Sequence, residues 1–80
     1  MNNYTNRQIK DIAQDIKQDW KKVYFGAVPY LDAMLTLRSI DDKYIFDSAK
    51  SVIRYFLANA TPWKGEVARE IKQELKDMVA

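Results

Sequence analysis

Residues 48–60, Ser-Ala-Lys-Ser-Val-Ile-Arg-Tyr-Phe-Leu-Ala-Asn-Ala, constrain the fold of this chain more than any other stretch. Ala49, Val52, Ile53, Phe56, Leu57 and Ala60 recur at i, i+3, i+4, i+7 and i+8, so a helix gathers them on one wide apolar face. Lys50 and Arg54 lie one turn apart on the opposite face. A helix this apolar has to be wrapped by others, which places it at the centre of an all-α domain.

The flanking sequence supplies the wrapping. Ile9, Ile12, Ala13, Ile16, Trp20 and Val23 form a stripe that predicts a helix over 6–23. Thr5 followed by Gln8 matches a capping box at its start. Gly26 then reads as a C′ residue with positive φ, and Pro29 as the first residue of a short helix over 29–38. Residues 39–47 form a connection in which Ile45 or Phe46 packs back as a hydrophobic staple. Asp47 reads as the N-cap of the central helix, predicted over 47–60. Thr61 and Pro62 read as N-cap and first residue of a last helix over 62–79, with Gly65 in its first turn and Val67, Ile71, Leu75 and Met78 as its stripe. The expected architecture is a compact all-α bundle of four helices in one domain, residues 1–80, with the second helix short and the third central.

The two outer helices carry charge in the same layout. Asp11, Asp15 and Asp19 flank the first stripe on one side and Lys10, Lys17 and Lys21 on the other. Glu66, Glu70, Glu74 and Asp77 sit correspondingly on the last helix, opposite Arg69, Lys72 and Lys76. Parallel neighbours would pair acid with base, and antiparallel neighbours would bring like flanks together. Charge alone therefore gives a weak vote for parallel packing, or for charge satisfied by a partner chain, although exposed pairs contribute only about 0–1 kcal/mol each and apolar packing can overrule them.

Composition excludes several classes of function. The chain has no cysteine and no histidine, so Cys/His zinc sites and histidine-based dyads and triads are ruled out. Thirteen basic against eleven acidic residues leave a net charge of +2, too balanced to imply nucleic acid or anionic membrane. There is no run of the roughly 18 apolar residues a membrane span needs, and no apolar core of a signal peptide near the first residue. The expectation is a cytoplasmic, non-enzymatic protein without cofactor, metal or membrane partner. The row Asp11, Asp15 and Asp19 does not converge as a hard cation requires. Asp41, Asp42 and Asp47 lack the spacing, glycine and closing glutamate of a calcium loop.

Two groups of residues remain as candidate sites. Tyr24-Phe25-Gly26-Ala27-Val28-Pro29-Tyr30 is the most distinctive loop, and its rings either seal the end of the bundle or meet a partner. Tyr24, Phe25 and Tyr30, with Tyr44 and Trp63 behind them, are the expected contact residues for a protein partner or a second copy of the chain. The alternative is a small nucleic-acid-binding protein using Lys50, Arg54, Arg69, Lys72 and Lys76.

Residues 20–34, 47–60 and 63–69, which include Trp20-Lys21-Lys22-Val23-Tyr24-Phe25-Gly26 and Trp63-Lys64-Gly65-Glu66, resemble small uncharacterised proteins encoded by phages and prophages of Gram-positive bacteria. The resemblance implies a phage-derived protein acting on a host or phage protein in the host cytoplasm. It implies no catalytic or binding residues.

Overall fold

A computed structural model describes residues 7–80. It contains α1 (Ile9–Asp19), α2 (Val28–Met34), β1 (Lys43–Tyr44), β2 (Asp47–Ser48), α3 (Ala49–Ala58) and α4 (Glu66–Val79). The four helices close a ring: α1 packs on α2, α2 on α3, α3 on α4, and α4 back on α1. The small hairpin β1–β2 leans on α3, which therefore has the most neighbours. It is not fully sheathed, since Lys50, Arg54, Tyr55 and Ala58 remain exposed.

Most of the predicted stripes reach one core, but Val67 of the α4 stripe is exposed and Ala68 is buried in its place. Ile9, Ile12, Ala13 and Ile16 come from α1, Ala49, Val52, Ile53 and Phe56 from α3, and Ala68, Ile71 and Leu75 from α4. Phe56 is fully buried and meets Trp20 and Trp63 edge-on, at ring separations of 6.2 and 6.5 Å. Burying one such ring contributes about 1.5–3 kcal/mol, so this junction is a main source of stability in so small a core.

The helix ends differ from the sequence expectation, each for a local reason. Thr5 lies outside the described residues. Gln8 is not inside the helix but is its extended N-cap, and its side chain makes no capping bond. The N–H groups of Ile9 and Lys10 instead donate to the backbone carbonyls of Arg38 and Leu37, each at 2.8 Å. The chain leaving α2 thus satisfies orphan donors that a capping side chain would otherwise take. α1 stops at Asp19 rather than Val23 because Trp20 leaves helical geometry at φ −91° and ψ 86° and turns into the core. α2 ends at Met34, short of Arg38, where the Thr36 hydroxyl and N–H both donate to Ala33 O. Such local bonds compete with helix propagation.

Two further boundaries change. Ser48, not Asp47, caps α3: its Oγ accepts the Ser51 N–H at 3.1 Å, while Asp47 is in β2, paired with Tyr44. Thr61 and Pro62 form a turn before Trp63, and α4 begins at Glu66 after Gly65. Gly65 has φ 112° and ψ 178°, a conformation open essentially to glycine alone. Gly26, by contrast, has no positive φ. Its role is spatial, because a Cβ there would lie 2.5 Å from the Tyr24 ring and 2.8 Å from Asn59 Oδ1.

α1 and α4 run antiparallel. Arg7, just before α1, bonds Glu74 near the end of α4, and Asp19 at the end of α1 bonds Trp63 before α4 begins. The parallel arrangement favoured by charge is therefore wrong. Burial of Ile12, Ile16, Ile71 and Leu75 in the common core outweighs the cost of facing like charges. Among the described residues no helix is long and apolar enough to cross a membrane.

Candidate functional site

The loop between α1 and α2 presents two of the five aromatic residues singled out in the sequence. The Tyr24 carbonyl accepts the Ala27 N–H at 2.8 Å, and buried Ala27 pins this turn to the core. Phe25 at the turn is 79% exposed and Tyr24 41%, with ring centroids 4.7 Å apart. Tyr30 is half-buried and lies 5.4 Å from the ring of Tyr55, an exposed aromatic on α3. Tyr44 is half-buried in β1 and packs on the core. Trp63 is only 2% exposed and is a core residue, so it offers no contact surface. Its ring stacks on Trp20 and its Nε1–H donates to Asp19 Oδ2, which uses both faces of its chemistry internally.

The single most exposed apolar residue, Phe46, lies elsewhere. Ile45 and Phe46 form the two-residue turn of the hairpin and are 73% and 96% exposed. They do not pack back as a staple. Ile45 has φ 56°, the left-handed region that a β-branched residue rarely enters. Positive φ at the first of two turn residues is the mark of a type II′ hairpin, a position that favours glycine. The base below is well held. Lys43 pairs with Ser48 and Tyr44 with Asp47, Asp42 O accepts the Ala49 N–H at 2.9 Å, and Asp42 Oδ2 accepts the Arg38 N–H at 2.8 Å. A run of Tyr-Ile-Phe between acids signalled the residues in the sequence, but no glycine or asparagine marked the turn.

Two of the five basic residues of the nucleic-acid reading, Arg54 and Lys72, bond backbone carbonyls within the fold. Lys50 is exposed at the start of α3, and Arg54 reaches across to the carbonyl of Val79 at 3.1 Å. Lys72 is half-buried, donates to the Trp63 carbonyl at 2.5 Å and lies 5.8 Å from the Trp63 ring centroid. Burial lowers the Lys72 pKa, and the charges of Lys76 and Lys64 lower it further. Arg69 lines a hollow with Lys64 and Lys72 at the start of α4, and Lys76 is exposed.

A second, larger hollow lies between α1 and α4, with a volume of about 620 Å³. Arg7, Asp15, Gln18 and Asp19 line one wall, and Val67, Glu70, Ile71 and Glu74 the other. Arg7 bridges its end, donating from Nε and Nη2 to Glu74 at 3.0 and 2.8 Å and from Nη1 to Asp15 at 2.5 Å. The hydrogen bond to Glu74 raises the Arg7 pKa above its ordinary value against the opposing effect of burial, and that to Asp15 adds to it. Glu74 is the one buried charged residue among those described. Among the described residues no group of three or more acidic side chains is placed to hold a metal ion. No protein-family model, no curated protein and no solved structure matches this chain.

Proposed function

We propose that this chain is a non-enzymatic protein-interaction module that works by inserting apolar side chains into a partner. The observation that carries the reading is the hairpin apex, where Phe46 stands almost fully and Ile45 largely in water on a strained turn with a firmly bonded base. A fold tolerates such strain where the surrounding structure enforces it, and strained positions cluster at sites of recognition. Burying a phenylalanine ring in a partner contributes about 1.5–3 kcal/mol, enough to make it a dominant contact. Phe25 and Tyr24 supply a second exposed apolar group. The resemblance to small phage and prophage proteins supports a host or phage protein as partner, met in the bacterial cytoplasm.

The test is capture of partners from bacterial lysate by the tagged protein, with nuclease treatment in parallel. Capture that survives nuclease and is lost in Phe46→Ser, with melting unchanged, supports the reading. Capture that survives nuclease but is unaffected by both Phe46→Ser and Phe25→Ser overturns the assignment of the contact. Capture that disappears with nuclease overturns the protein-binding function and favours nucleic acid held by Lys50, Arg69 and Lys76.

A further inference from the structure

The groove between α1 and α4 combines an apolar floor with acidic walls. Its floor is apolar: Ile71 is buried beneath it and Val67 is exposed within it. Its walls carry Asp15, Asp19, Glu70 and Glu74 against the single guanidinium of Arg7. The antiparallel packing of α1 on α4 faces like charge with like across this space. Arg7 answers Glu74 and Asp15, and the Trp63 indole N–H answers Asp19. Glu70 lies exposed on the groove wall.

We infer that this groove is a docking site for a basic amphipathic helix of a partner protein, whose apolar residues cover Val67 above buried Ile71 while its lysines and arginines meet Glu70, Asp15 and Asp19. Charge complementarity selects the occupant. An apolar surface alone fits many segments, but this one is rimmed by carboxylates and repels acidic ones. Arg7 already shows that the groove receives a guanidinium in two-pronged geometry. The lining runs from Val67 to Glu74 on α4, about 10 Å or two turns at 1.5 Å per residue, which matches a short helix laid alongside. The site is separate from the hairpin apex and does not rest on it.

The test uses a synthetic peptide of about fourteen residues, the length of α4, built from leucine, lysine and alanine with leucine at helical spacing. Its binding to the ¹⁵N-labelled protein is followed by NMR at about 50 and 150 mM salt. The indole N–H of Trp63 is a built-in reporter, because its acceptor Asp19 lines the groove. The expected result is a shift of that signal and of the backbone amides of residues 67–71, with binding retained at the higher salt. Glu70→Lys should weaken binding about tenfold, and Val67→Ser should weaken it as well. Both positions are exposed, so the fold tolerates the changes. A peptide with glutamate in place of lysine should not bind. Equal binding by a lysine peptide without leucine, unchanged affinity in both variants, or shifts centred on Phe46 or Phe25 instead would each overturn the inference.

Discussion

Trp20 and Trp63 stack nearly parallel, 8° apart in plane and 5.6 Å between ring centroids, although they lie in different turns of the chain. The pair joins the end of α1 to the approach to α4, with Phe56 edge-on to both rings. Trp63→Ala should cost about 3–5 kcal/mol, the range for truncating a buried aromatic. Urea unfolding checks it. Trp63→Phe should cost less, because the apolar volume is largely kept while the bond to Asp19 is lost.

Arg7 and Glu74 give a second expectation. Arg7→Ala leaves the buried Glu74 carboxylate without its two-pronged partner. Breaking a buried pair costs about 3–5 kcal/mol when both ions are desolvated. Arg7 keeps a third of its side-chain surface in water, so a loss of about 1–3 kcal/mol is expected. Arg7→Ala/Glu74→Gln should recover part of that loss, because the uncompensated charge is then removed. Denaturant midpoints of the two variants measure the difference.

The hairpin turn predicts a change that stabilises. Ile45 sits at φ 56°, where glycine carries no steric penalty. Ile45→Gly should raise stability by about 1 kcal/mol, and capture of a partner at the apex should weaken in the same variant. A variant that is more stable yet weaker in binding would separate strain kept for recognition from strain without use. Thermal melting and the capture assay together provide the comparison.

Gly65 predicts the opposite sign. A Cβ built there meets nothing within 4 Å, so crowding plays no part. Its φ of 112° alone should make Gly65→Ala cost about 1–3 kcal/mol. Circular dichroism during urea unfolding measures it.

Lys72 should titrate below its ordinary value of 10.5, chiefly because it is removed from water and then because Lys76 and Lys64 repel its charge. The unfolded chain therefore binds more proton on the alkaline side. The contribution of Lys72 to stability rises as pH climbs from its lowered folded pKa to 10.5, is fully present above that, and is lost as pH falls through the folded value. NMR titration of the Lys72 Cε signal should give a midpoint below 10.5. Lys72→Met should remove that part of the alkaline rise.

The helical stripes were legible because burial repeats at the helical period, and Ile9, Ile12, Ile16, Val52, Phe56, Ile71 and Leu75 all reach the core they predict. The ends were not legible, because long-range partners decide them. The N–H groups of Ile9 and Lys10 find acceptors in residues 38 and 37, a pairing no local motif encodes. Trp63 looked like a surface anchor because tryptophan favours interfaces, yet Asp19, far away in the chain, satisfies its one donor and lets it be buried. The apex at Ile45 and Phe46 was hidden because it uses a turn without the residues that usually mark one. The α1–α4 groove followed from the helix direction, which charge patterning read the wrong way round.

The bond between Arg7 and Glu74 spans 67 positions of sequence, whereas α1 packs on α2, α2 on α3 and α3 on α4, each on the next helix in order. Closing that long loop costs entropy before any contact repays it. The pairs α1–α2, α2–α3 and α3–α4 can form from near neighbours, so the contact of α1 with α4 is expected to close last. The order should reverse on opening. Amides of α1 should exchange with solvent through a partial opening that leaves those of α3 protected, so that the chain comes apart first along the same seam that forms the groove.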